Sequence, residues 1–261
     1  MLRRFGKFSG TILFAALIAA AAHAGPGNYN QAMEAYYKDD FVTAARLLHV
    51  LAERGNINAQ RELGRMYAKG EGAPKDEAEA KRLFKLASEQ EDALKSYNTG
   101  DFAKALQVFR PLAEKGQALA EYILGLAYTN AQGVSENYPE GLKWLQKAGE
   151  QGEAKAQFAV GVAYFKGLGV QKDYAEAFKW YRRAADQGLG VAQYNLGAMY
   201  AKGEAVTQDV VTAHLLYGLA ATSGIKAAGA AKNQLAKTMT PEQIAQAEKM
   251  AKDWKPKLED N

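Results

Sequence analysis

One 36-residue period governs this sequence. Glycines stand at 116, 152, 188 and 224, and a second set at 125, 161 and 197. Each of the second set sits inside a short apolar frame: LGLAY, VGVAY and LGAMY. A period of this length is too short for an independent core, so each unit must bury its apolar face against its neighbours. A fourth copy, LGRMY around Gly64, lies 61 residues before Gly125. Laying residues 30–90 over 91–151 explains the offset. Ala32, Tyr36, Asp40, Phe41, Ala44, Leu51, Ala52, Glu53, Gly55, Ala59, Leu63, Gly64 and Tyr67 all recur 61 positions later. The excess over 36 is a shorter unit of 25 residues. The chain therefore reads as units at about 30–54, 55–90, 91–115, 116–151, 152–187 and 188–223, followed by a closing segment, 224–261.

Each 36-residue unit parses as two helices. In EAKAQFAVGVAYFKG, Ala156, Val160, Gly161 and Tyr164 recur at helical spacing. GLGVQKD then breaks the helix with glycine. Asp173 opens the second helix, with Asp76, Asn137 and Asp209 at the matching positions. A short side-chain oxygen there accepts from the free N–H groups of a first helical turn, worth about 1 kcal/mol. The second helix, YAEAFKWYRRAADQ, puts Ala177, Trp180, Tyr181 and Ala184 on one apolar face. Gly125, Gly161 and Gly197 fall inside helices, where glycine costs up to about 1 kcal/mol relative to alanine. That repeated cost implies a repeated close contact, and Trp144 and Trp180 are the expected bulky partners. The closing segment carries a capping box, with Thr240 as N-cap, Pro241 at the first helical position and Gln243 three residues after the cap.

The N-terminus has the form of a cleaved export signal. Arg3, Arg4 and Lys7 precede the apolar run TILFAALIAAAA, and AHA ends at Ala24. Twelve residues rise about 18 Å as a helix, short of a hydrocarbon core of roughly 30 Å. The expectation is a periplasmic or secreted chain beginning near Gly25, without stable membrane insertion. No cysteine is present, so no lipid-attachment site and no disulfide is available, and apolar burial alone must hold the fold. The leader holds three basic residues and no acidic one. With 30 basic against 29 acidic residues remaining, the mature chain has a net charge of +1. That balance, with no run of like charges, argues against nucleic acid as a partner.

AEYILGLAYTNAQGVSENYPEGLKWLQKAGEQG, AQFAVGVAYFKGLGVQKDYAEAFKWYRRAADQG and AQYNLGAMYAKGEAVTQDVVTAHLLYGLAATSG resemble the Sel-one-like repeat, a branch of the tetratricopeptide superfamily. The 25-residue units are closer to ordinary tetratricopeptide helix pairs. Three places depart from the pattern: Ala131 replaces the first loop glycine, Leu216 replaces the tryptophan, and the LG-x-x-Y frame is lost after Gly224. The resemblance implies an all-α, right-handed α-solenoid of antiparallel helix pairs whose first helices line a concave face. It implies a scaffold binding a protein or peptide in envelope signalling, assembly or host interaction.

Catalytic chemistry finds little footing. His49 and His214 lie far apart, both on apolar faces of second helices, and H-E-x-x-H, G-x-S-x-G and G-x-x-x-x-G-K-[ST] motifs are all lacking. The chain reads as a non-enzyme without catalytic, metal or cofactor residues. The alternative, an envelope hydrolase or a peptidoglycan- or β-lactam-binding protein, follows the family's cysteine-rich branch, whose cysteines this chain lacks. Alignment to the tetratricopeptide frame places the concave face three before, one after and four after the frame glycine. Those positions hold Tyr122, Leu126 and Thr129, then Phe158, Val162 and Phe165, then Tyr194, Ala198 and Ala201. The LGRMY unit supplies Arg61 and Arg65, suited to a partner carboxylate.

Overall fold

A computed structural model describes residues 29–257. Among them all thirteen regular elements are α-helices. They fall into two compact units that divide between Gln117 and Ala118. Unit 1 holds α1 (Tyr29–Tyr37), α2 (Phe41–Glu53), α3 (Ile57–Lys69), α4 (Glu77–Asn98) and α5 (Phe102–Glu114). Unit 2 holds α6 (Ala118–Thr129), α7 (Tyr138–Glu150), α8 (Ala154–Lys166), α9 (Tyr174–Asp186), α10 (Gly190–Lys202), α11 (Val210–Thr222), α12 (Lys226–Ala236) and α13 (Pro241–Asp253). The export signal expected at residues 1–24 falls outside the described residues.

The four expected caps are all in place. Asp76, Asn137, Asp173 and Asp209 accept from backbone N–H groups in the first turns of α4, α7, α9 and α11. Thr240 and Gln243 form the reciprocal capping box of α13, at 2.9 and 3.3 Å. At Ala131, the place of the missing loop glycine, the backbone still adopts φ +54°, so the left-handed turn survives the loss of its usual residue.

One boundary looks different in space. The junction between units 55–90 and 91–115 falls inside α4, a continuous helix of 22 residues. Elsewhere a glycine at positive φ stops the chain: Gly116, Gly152, Gly188 and Gly224. Glu91 holds that register before the second short unit, and with no left-handed residue to turn it the helix runs on.

The frame glycines do meet bulky neighbours, but the expected tryptophans need correcting. A Cβ on Gly64 would lie 2.8 Å from Phe84, on Gly125 2.7 Å from Leu145, on Gly161 2.5 Å from Tyr181, and on Gly197 3.1 Å from Tyr217. The partner is thus the residue that follows the tryptophan position. One residue is a turn of about 100° on a helix, so the tryptophan points elsewhere: Trp180 packs over Gly149 of the preceding hairpin.

A buried polar ladder joins successive hairpins. The side-chain N–H groups of Gln60, Gln157 and Gln193 donate to the carbonyls of Ala52, Gly149 and Ala185, each eight residues earlier. Gln90 and Gln187 donate in turn to Gln60 and Gln157. Glu121 occupies the same register, 3% exposed, and accepts from Gln151 at 2.7 Å. Burial raises its carboxyl above the ordinary range, with Glu150 adding to the effect and Lys147 and Gln151 opposing it. A raised folded-state value means that the folded chain holds this proton after the unfolded chain has released it. The stabilisation is therefore full at low pH and is lost as pH rises through the raised value. Glu121→Gln restores the ladder's amide and is expected to stabilise the fold at pH 7 by about 1 kcal/mol. The gain should shrink toward pH 4, as read by urea unfolding of both proteins across that range.

Candidate functional site

In unit 2, α6, α7 and α8 and the start of α10 enclose an open cavity of about 490 Å³, within the range of ligand pockets. Tyr122 and Leu126 come from α6, Phe158 and Val162 from α8. These four sequence-predicted residues stand together, half-buried, because three- and four-residue spacing stacks them on one helical face. Thr129, another predicted position, joins them. Tyr138, Leu142 and Leu145 of α7 form the back wall, and Leu168, Leu189 and Val191 close the far side. The polar groups are few: the two tyrosine hydroxyls, Thr129, Asn130 and the Lys155 ammonium. Burial raises the Tyr122 phenol, helped by the Glu153 carboxylate. Glu153 is also raised by burial, and it accepts from Lys155 N at 3.3 Å as the cap of α8. Its first duty is structural. The arrangement suits an apolar guest of moderate size and contains no nucleophile–base pair.

The remaining predicted residues lie elsewhere. Phe165 packs edge-on against Tyr174, with ring centroids 5.0 Å apart, and touches Tyr181 at 6.3 Å. Tyr194 packs on Tyr217 at 5.6 Å. Both rings are taken up by the second helix of their own hairpin. Arg61 and Arg65 belong to unit 1 and already hold carboxylates of their own chain, Glu91 and Glu62. The first-helix frame missed the wall supplied by α7 and Leu189. One readable signal existed for Leu189. It sits where Asn56 and Glu153 cap their helices and gives α10 no side-chain cap, an apolar residue spent where a polar one is the rule.

His214 is 2% exposed in α11, its imidazole held below the ordinary range by burial and Lys232, against an opposing effect of Glu248. Among the described residues no group of three His, Asp or Glu is placed to hold a metal ion, and no helix is long and apolar enough to cross a membrane.

A family model described as Sel1 repeat matches residues 57–92, 118–153, 154–189 and 190–225, more than half of the chain. No curated protein matches the chain. Among solved structures, a Sel1 repeat protein from Oxalobacter formigenes is 26% identical with a TM-score of 0.52; the match covers 87% of this chain and all of that one. A protective antigen of uropathogenic Escherichia coli, c5321, described as displaying an SLR fold, is 26% identical with a TM-score of 0.49. That match covers 87% of this chain but only 61% of the antigen's length.

Proposed function

Because the chain belongs to the Sel1 repeat family, whose fold is generally a non-catalytic scaffold for protein interaction, we propose that it is an exported scaffold gripping a protein segment in the unit 2 cavity. The observation that carries this reading is the convergence of Tyr122, Leu126, Phe158 and Val162 on one open apolar pocket. An exposed apolar surface of that kind is retained where something covers it. The depth suits a bulky apolar side chain of a helix or extended segment. Export rests on the N-terminal leader. Phe165, Tyr194, Arg61 and Arg65 already make contacts within the chain, and we assign them to shaping and stabilising the scaffold.

Val162→Lys, a change on a half-buried surface position, tests the reading. The tagged full-length chain, expressed in its own cell envelope and cross-linked, should lose at least one protein captured by the wild type. Val162 packs from the edge onto the core around Tyr181, so the lysine should lower stability by about 1 kcal/mol while the variant still unfolds in one cooperative transition. An unchanged set of captured proteins would overturn the assignment. Intact mass of the periplasmic protein should correspond to a start at Gly25; retention of the leader would remove the export part.

A further inference from the structure

The Gln60 and Gln157 bonds mark the same register in the two units, so the space beside each can be compared. In unit 2 the space over Gly149 is filled. Trp180 comes within 3.0 Å of the place of a Gly149 Cβ. Arg183 lies over the Trp180 ring at 4.6 Å and donates from Nη2 to the Gly149 carbonyl at 3.2 Å. Unit 1 has Ala52, Leu83 and Leu86 at those three places, and a cavity of about 430 Å³ lies there.

The walls of this cavity hold buried polar atoms without hydrogen-bond partners. Gln117 is 8% exposed, and its Oε1 has no hydrogen-bond partner among the described residues. His49 Nδ1 is also buried without one, 3.6 Å from Glu53 Oε1. Arg82 does not serve them, since its fork is bound to Glu79 through two bonds of 2.7 Å. Lys115 is the other cation of the lining. His49, Glu53 and Glu79 line the cavity, but among the described residues no group of three His, Asp or Glu is placed to hold a metal ion.

We infer that this cavity receives the side chain of a guest arginine. A guanidinium is flat, so its faces can lie on the apolar floor of Leu83 and Leu86 while its edge donates N–H bonds. It would stand where Arg183 stands in unit 2 and give donors to Gln117 Oε1 and the Glu53 carboxylate. A lysine ammonium is compact and strongly hydrated, and fits a flat, half-apolar slot poorly. Lys115 opposes the guest by like charge, so its loss should help. This cavity and the apolar one lie in different units, and the two readings fail independently.

The test titrates the full-length, isotopically labelled chain with acetyl-Gly-Arg-Gly-amide and with its citrulline and lysine counterparts, following amide NMR shifts. The arginine peptide should give saturable shifts at residues 49–55, 83–86 and 115–117. Citrulline, with the same shape but no charge, and lysine should each bind at least about tenfold more weakly. Lys115→Ala should tighten binding. Leu86→Arg, which supplies the chain's own arginine, should weaken it at least about tenfold while the unfolding midpoint is kept or raised. Equal binding of citrulline or lysine, an unchanged titration in Leu86→Arg, or no saturable shift would each overturn the inference.

Discussion

Tyr181→Ala is expected to cost about 3–5 kcal/mol of folding free energy, as aromatic deletions in close-packed cores do. Tyr181 is 2% exposed and among the largest fully buried side chains. Its ring occupies the volume that Gly161 leaves open: a Cβ on Gly161 would lie 2.5 and 2.7 Å from its Cδ1 and Cε1. Phe158 lies against it with centroids 5.5 Å apart. Removing the ring leaves α8 and α9 facing each other across a void that neither helix can fill, since one presents only glycine. Tyr181→Phe keeps the ring that fills this volume and should cost far less, under about 1.5 kcal/mol. Urea unfolding of the full chain gives both numbers. In a linear array the loss should extend to the flanking hairpins. Phe158 should also lose its support, widening the unit 2 cavity and weakening whatever occupies it. A cost below about 1 kcal/mol for the alanine variant would mean that the glycine–tyrosine contact does not organise the hairpin.

The same contact explains what could be read from the chain and what could not. The period, the caps and the closing helix are local patterns, and local patterns are legible: an Asp before an apolar run caps a helix whatever surrounds it. The continuous helix α4 was missed: the repeat pattern breaks the chain between residues 90 and 91, and the one contrary signal was Glu91 at the place of a turn glycine. The cavity was only partly legible. A first-helix frame assigns Tyr122, Phe158 and Tyr194 one role, because they share one register. Their surroundings differ through the second helix. Opposite Gly125 stands Leu145, itself part of the cavity wall. Opposite Gly161 and Gly197 stand Tyr181 and Tyr217, whose rings engage Phe158, Phe165 and Tyr194. The cavity thus opens where the facing residue is small enough to leave Tyr122 and Leu126 uncovered. That depends on a pair of positions some twenty residues apart, and a single-helix frame does not weigh them together. The tryptophan error has the same source: the pattern gives a helical face, whereas the contact depends on a turn of one residue.

Gly72→Ala is expected to be the most damaging small substitution in unit 1, at about 2–4 kcal/mol. Two costs add. Gly72 sits at φ +71°, where a Cβ is strained by about 1 kcal/mol. Its Cβ would also fall 2.0 Å from the Phe41 carbonyl oxygen and 2.5 Å from the carbonyl carbon, and forced overpacking costs typically 1–3 kcal/mol. Both obstacles are backbone at the start of α2, so no side-chain rotation relieves them; the α3–α4 turn must lift away from the first hairpin. Ala205 holds the matching place of the last repeat at φ +60°, which shows that the turn itself tolerates a Cβ. The excess above about 1 kcal/mol in Gly72→Ala therefore measures the contact between turn and hairpin. Hydrogen exchange should locate it, with faster exchange along α1 and α2 and none added in α8 or α9. A cost no larger than the strain at φ +71° would mean that the turn is not seated on Phe41, and that the first hairpin is held by its apolar face alone.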